Sequence, residues 1–266
     1  MKVKFDGVME TSLITLYARA EDYKKEKSIL RDKKSAEIFS QIDYDFSKFS
    51  KGWLSYYGIL SRAKIMDEQV KKFISENPES IVVSIGCGLD TRFERVDNGK
   101  VEWYNVDFPE VIEKRKLFFS ENERVKNISK SALNPEWTKD IKIGEKKLLI
   151  ISEGVLMYFS EEEIKSFLKI LTDNFDEFEA QFDLISVGAL KMQKEHDVLK
   201  KMNATFKWGV KDGSEVVKLN PIMKQTGLIN FTVEMKKILP FTKKWIIPFM
   251  YLYNNRLGMY SYKKEK

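Results

Sequence analysis

The chain reads as an α/β fold: a mostly parallel sheet with helices on both faces, behind a helical N-terminal segment. Three observations lead there. Short β-branched runs alternate with helix-periodic stretches through the middle of the chain. The first such run, Ile81 to Ile85, ends in a glycine turn, Gly86-Cys87-Gly88. A second short run ends in an acid, Asp107, roughly 20 residues beyond the turn, where an acid can accept both hydroxyls of a ribose. Strand, glycine turn, strand and acid are the layout of a nucleotide-type cofactor site at the carboxyl end of a parallel sheet.

In chain order, residues 10–73 predict helix. The stretch TSLITLYARAEDYKK places apolar residues at helical spacing, and residues 67–74 continue a helix that must stop before Pro78. Strands are expected at 81–85, 101–106, 125–128, 148–152 and 183–187, with helices notably at 111–119 and 161–174. Ser160 followed by three glutamates is a helix start, a hydroxyl N-cap with acids in the first turn. The insertion 189–227 has few strand signals and reads as helix and loop. Residues 231–239 and 258–262 read as two strands flanking an aromatic connection, 241–253, expected to be buried core ahead of pocket wall or dimer contact.

No repeat, low-complexity tract or proline-rich linker divides the chain. One domain over 1–266 is expected, with a helical cap at 1–75, a cofactor-binding core at 76–188, and a substrate-side insertion with C-terminal strands at 189–266. In an open α/β sheet the ligand lies beyond the carboxyl ends of the strands, so cap and insertion are the parts able to roof it.

Composition narrows the function classes. At 266 residues and 43% hydrophobic, the chain can bury a substantial core. A single cysteine, Cys87, rules out an intramolecular disulfide and suits a reducing compartment. The stretch MKVKFDGVME lacks the apolar segment of a secretory signal, and the longest aromatic-apolar run, 245–253, is interrupted by Pro248 and too short to span a bilayer. The expectation is a cytoplasmic protein with no membrane partner. A formal charge of +6 raises nucleic acid as a partner, but the lysines are interleaved with acids (KKEKS, GEKKL, KKEK) and form no single basic stripe. A solvated, lysine-rich surface is the simpler reading. The lone His196 has no histidine or cysteine partner at ligand spacing, so no metal site is expected.

The glycine turn discriminates between cofactors. A dinucleotide fingerprint needs glycine at its first, third and sixth positions, the last for close packing of helix on strand. Here the six residues are Gly86, Cys87, Gly88, Leu89, Asp90 and Thr91, so a β-branched threonine takes the sixth place. Asp90, at the head of the next helix, opposes a pyrophosphate that would favour the bare positive end of the helix dipole. A cofactor without phosphate, carrying a sulfonium and an amino-acid end, suits the loop better. That favours S-adenosylmethionine over NAD.

Further blocks extend this reading. ETSLITLYARA with ILRD and IDYDF, the glycine loop with LDTR and VDFP, and SEGVLMYFSEEEIKSFL together resemble the leucine carboxyl methyltransferase and polyketide O-methyltransferase family. FKWGV at 206–210 adds to the similarity, which is not traced beyond Lys211. The resemblance implies a Rossmann-like class I methyltransferase with a seven-stranded sheet and S-adenosyl-L-methionine as cofactor. It also implies roles. Gly86 and Gly88 would pass under the methionine part, Asp107 would bind the ribose hydroxyls, and Glu153 would face the amino end or the sulfonium. Arg62 would pair with the cofactor carboxylate, which suits a planar bidentate donor. Ser131 would stand where some relatives place an acid that contacts adenine.

Each assignment has a plainer alternative. Arg62 can be a surface arginine, Glu153 a loop cap, Asp107 a turn former and Tyr158 core. Met192, Met202 and Met223 can fill gaps in the core rather than line a pocket. With no convincing histidine base, the catalytic residues stay unassigned. The expected reaction is methyl transfer to a carboxylate or an acidified phenol of a small metabolite, in a monomer or a homodimer. Two rivals stand beside it: an NAD-linked oxidoreductase, and a non-catalytic protein that binds a metabolite or RNA on the same fold.

Overall fold

The computed structural model describes residues 8–192 and 205–265. Helices α1 (Val8–Tyr23), α2 (Lys33–Gln41) and α3 (Trp53–Glu76) come first. The long predicted helix is thus broken where aspartates turn the chain. Asp32 caps α2 by accepting from the Ser35 amide at 2.9 Å, and Asp45 accepts from the Ser47 amide at 3.1 Å at the head of a 3-10 turn, Phe46–Phe49. Ahead of Pro78, α3 stops at Glu76, because the residue before proline disfavours helix.

An alternating core follows: β1 (Ile81–Ile85), α4 (Arg92–Val96), β2 (Glu102–Asp107), α5 (Pro109–Arg115), β3 (Val125–Ser129), β4 (Leu148–Ser152), α6 (Glu161–Asn174) and β5 (Glu177–Leu184). The described chain closes with α7 (Val187–Lys191), α8 (Ser214–Leu219), β6 (Lys224–Asn230), α9 (Thr232–Ile238), α10 (Ile247–Tyr253) and β7 (Arg256–Lys263). Seven strands form one sheet in the order β3-β2-β1-β4-β5-β7-β6, parallel except for β7, which runs antiparallel to both neighbours.

Strands β1 and β4 are buried along their whole length, as runs without a polar face must be in a sheet covered on both sides. On one face α3 packs Val70, Phe73 and Ile74 against Val82, Leu149 and Ile151. On the other, α6 buries Ile164, Phe167, Leu168 and Leu171, a stripe at helical spacing, against Ile150, Phe178 and Phe182. Its start is the reciprocal cap that the sequence implies: Glu163 N donates to Ser160 Oγ, and Ser160 N donates to Glu163 Oε2. Strand registers set Ile85 beside Val106 and Ser152, and Ser152 beside Phe182, so four carboxyl ends share one rim. From β1 the chain winds outward to β2 and β3 on one side and to β4 and β5 on the other. That reversal opens a crevice above β1 and β4.

Several expectations need correction. The fifth strand lies at Glu177–Leu184 rather than 183–187: Phe178 and Ala180 are buried between the half-buried Glu177 and the exposed Glu179, and Ser186 instead caps α7 by accepting from the Ala189 amide at 3.0 Å. Residues 231–239 hold helix α9 between its caps Phe231 and Leu239, not a strand, because Phe231, Met235 and Leu239 lie four apart and are all buried. The strand lies earlier, in β6, which begins within the insertion read as helix and loop and runs on to Asn230. The helix expected at 111–119 is Pro109–Arg115, with proline in its first turn. The connection 241–253 is core only in part: Ile247 is buried against Met235 and Leu239, but Phe241, Trp245 and Phe249 are 90%, 68% and 58% exposed.

Candidate active site

The glycine turn owes its shape to the strands on either side. Gly86 and Gly88 have φ of +66° and +45°, a region that favours glycine. The amide of Gly86 donates to Val106 O at 2.8 Å, tying the turn to the end of β2. Space is as restrictive as the dihedral, for a Cβ at Gly86 would lie 2.3 Å from Val155 Cγ2. Asp107 closes the turn from the other side. Its Oδ2 accepts from Gly88 N at 2.8 Å and its Oδ1 from Phe108 N at 2.8 Å, which leaves lone pairs on both oxygens. Burial pushes the Asp107 carboxyl up, against the lowering effect of these two amides and Arg115.

Beyond β4 a cluster of buried charges begins. Glu153 Oε1 accepts from Arg62 Nε at 2.8 Å and Oε2 from Arg92 Nη2 at 2.5 Å. Burial alone would raise this carboxyl, but the two guanidiniums outweigh it and hold it below the ordinary range. Arg62 also binds Asp183 at 2.9 Å, while Arg92 binds Asp67 at 2.8 Å and Asp90 at 2.9 Å. Arg95 joins Asp67 to Asp32, and Arg19 reaches Asp32 at 3.3 Å. Through Asp32 the cap is fastened to the loop, since Thr91 Oγ1 donates to Asp32 Oδ2 at 2.5 Å.

Asp90 is not a bare negative charge at a helix start but one member of an ion cluster. Thr91, at the sixth position of the glycine motif, uses its hydroxyl to hold α2. Arg62 is 14% exposed, which removes the surface-arginine reading.

One cavity of about 1300 Å³ opens at the rim. All six predicted cofactor residues, Arg62, Gly86, Gly88, Asp107, Ser131 and Glu153, line it. Its size exceeds the roughly 300–1,000 Å³ of ordinary small-molecule sites, enough for a cofactor and a second molecule together. Ser131 also caps its own turn, accepting from Leu133 N at 3.2 Å. Away from the glycine turn the wall becomes apolar: Met157, Ile185, Phe206, Met235, Trp245 and Phe249. Tyr158 and Met192 line it too, whereas Met223 is buried core as expected. His196 and Met202 lie outside the described residues. No group of three or more potential metal ligands exists among the described residues, and no described helix is long and apolar enough to cross a membrane.

Asp183, Arg92 and Arg19 escaped the sequence reading. Each pairs with residues far away in the chain, and no local pattern marks such a pair. The aromatic connection reads as core because it is apolar, yet it supplies Trp245 and Phe249 to the cavity wall.

Residues 13–172 match the family described as leucine carboxyl methyltransferase. The chain is 31% identical over 209 residues to the tetracenomycin polyketide synthesis O-methyltransferase TcmP of Streptomyces glaucescens, covering 78% of this chain and 77% of that protein. It is 27% identical over 239 residues to the S-adenosyl-L-methionine-dependent methyltransferase dpfgK of Gibberella zeae, covering 81% and 79%. Among solved structures, a Thermobifida fusca chain superimposes with a TM-score of 0.60 at 12% identity, covering 93% of this chain and 94% of that one. Magnesium protoporphyrin IX methyltransferase of Synechocystis PCC 6803, solved with bound SAH, gives 0.52 at 10% identity, covering 95% and 100%. At such identities these structures speak for the fold alone.

Proposed function

This chain belongs to the leucine carboxyl methyltransferase family and is an S-adenosylmethionine-dependent methyltransferase, and from that premise we propose that it methylates an oxygen of a small, largely apolar metabolite. The observation that carries the proposal is the continuity of one cavity, a polar cradle of glycine turn and carboxylates at one end and an aromatic wall at the other.

The cradle fits the cofactor on its own chemistry. Asp107 would take the ribose hydroxyls on its remaining lone pairs. Gly86 and Gly88 would run beneath the methionine portion without a Cβ in the way. Arg62 and Glu153, charges of opposite sign fixed side by side, would meet the carboxylate and the amino group. Ser131 would border the adenine. When bound, S-adenosylmethionine supplies an already activated methyl group. The protein's own work is then to align, enclose and exclude water, a contribution of roughly 7–11 kcal/mol in favourable cases.

The described residues include no histidine, and the apolar wall offers no evident base. An acceptor that arrives ionised, a carboxylate or an acidic phenol, needs none. TcmP is by name a polyketide O-methyltransferase; an aromatic acid or phenol of that kind suits a wall of Met157, Phe206, Trp245 and Phe249.

Calorimetry with S-adenosylhomocysteine tests the cradle: micromolar binding is expected, and silence at millimolar ligand would remove the proposal. Asp107→Ala should weaken that binding about tenfold or more, as expected for hydrogen bonds to a charged group. An unchanged affinity would refute the ribose role. Phe249→Ala should raise the KM of whichever acceptor an acid-and-phenol panel reveals by roughly fivefold, about 1 kcal/mol of lost apolar contact, with cofactor affinity unmoved. A shift in cofactor affinity instead would misplace the acceptor wall.

A further inference from the structure

Asp183 is the last residue but one of β5, with none of its surface exposed, and it is not among the residues lining the cavity. Its carboxylate nevertheless gathers three separate parts of the chain. Oδ2 accepts from Arg62 Nη1 in α3 at 2.9 Å and from the Gly154 amide, just past β4, at 3.0 Å. Oδ1 accepts from Asn255 Nδ2, ahead of β7, at 3.1 Å. Two of these partners bear directly on the cradle. Arg62 is held through Nε on Glu153 and through Nη1 on Asp183, and a planar guanidinium fixed at two nitrogens has its plane and direction set. Gly154 is the residue after Glu153, so the same carboxylate also pins the backbone that aims the glutamate.

Resting on the reading of this cavity as the S-adenosylmethionine site, we propose that Asp183 is a positioning residue for the amino-acid end of the cofactor, acting through Arg62 and the backbone of Glu153. It touches no ligand itself. Were Asp183 absent, Arg62 would answer to Glu153 alone, and the two charges that must receive an ammonium and a carboxylate would collapse onto each other. The adenosine half of the cradle, made by Gly88 and Asp107, shares no hydrogen bond with Asp183.

The separation of the two halves supplies the test. Asp183→Asn keeps the shape: the new amide oxygen still accepts from Arg62 and Gly154, and Asn255 can turn its own oxygen toward the new NH2. What disappears is the negative charge. Dissociation constants are measured for S-adenosylhomocysteine and for 5′-methylthioadenosine, which keeps the adenosine and thioether but lacks the amino acid. Asp183→Asn should weaken S-adenosylhomocysteine about tenfold and change 5′-methylthioadenosine by less than twofold, the tenfold step corresponding to about 1.4 kcal/mol. Equal weakening of both ligands would show a merely structural role, and no change in either would show none; both overturn the inference. Asn255→Ala, a milder lesion on Oδ1 that leaves the charge in place, should weaken S-adenosylhomocysteine about threefold with the same selectivity, and a non-selective loss there would also overturn it. Wild-type protein that bound neither ligand would overturn the cofactor reading and this inference with it, a result distinct from every outcome of the variants.

Discussion

Arg92→Ala is expected to lower the unfolding free energy by about 3–5 kcal/mol, the scale for deleting one partner of a buried ion pair. Arg92 is 1% exposed and donates to Asp67, Asp90 and Glu153, which come from α3, the glycine loop and the segment after β4. Without it, three carboxylates from three segments face one another with less compensation than before. Urea unfolding measures the effect, and a loss below 1 kcal/mol would mean that the remaining arginines, Arg19, Arg62 and Arg95, neutralise the cluster unaided.

Acid should act on the same cluster. Burial would raise Asp32, Asp90 and Glu153, but their arginine partners outweigh it and hold all three below their ordinary values. The stability they contribute is complete above the ordinary carboxylate range and is lost as pH falls through it toward their folded values. Asp107 and Asp183, pushed up by burial, work in the opposite sense. With the three lowered acids dominating, the thermal midpoint should fall between pH 6 and pH 3. A midpoint that rose over that interval would reverse the assignment.

Gly86→Ala should abolish most of the activity. A left-handed alanine costs about 1–2 kcal/mol on its own account. The collision adds to this, because the new methyl would sit 2.3 Å from Val155 Cγ2. Either the turn or the segment carrying Glu153 and Gly154 must then move, and a displacement near 1 Å in a reacting geometry costs about a hundredfold in rate. The double variant Gly86→Ala/Val155→Ala separates the causes. It relieves the collision but not the dihedral, so partial recovery of turnover is expected. Full recovery would mean that backbone conformation contributes nothing, and no recovery that the collision does.

What the chain announces locally is what could be read from it. Ile81–Ile85, Leu148–Ser152 and Glu161–Asn174 were legible to the residue, through β-branched runs and a serine cap with acids behind it. The glycine pair and the acid at the end of β2, which meet in one turn, were legible because that turn needs the backbone freedom of glycine. Charge pairing across the fold was not. Arg62 and Asp183 are 121 residues apart, and an acid near a strand end looks in sequence like an ordinary polar residue at the edge of a loop. The exchange of strand for helix at 232–238 has the same origin. TVEMKKI begins with β-branched residues, and only the inward turn of Phe231, Met235 and Leu239 onto the core decides for the helix.

The ion cluster also has a bearing on ancestry. Its members span positions 19 to 183, nearly the interval shared with the family, whereas Ile185, Phe206, Met235, Trp245 and Phe249 all fall after that interval ends at 172. On the proposed reading, donor handling is interlocked and hard to alter piecemeal, while much of the far wall comes from the stretch beyond the family match. Chimeras exchanging the tail from Ile185 onward between relatives should inherit their appetite for acceptors from the tail's parent. Exchanges that cut between α2 and the glycine loop would instead have to carry Asp32, Thr91 and Arg95 together.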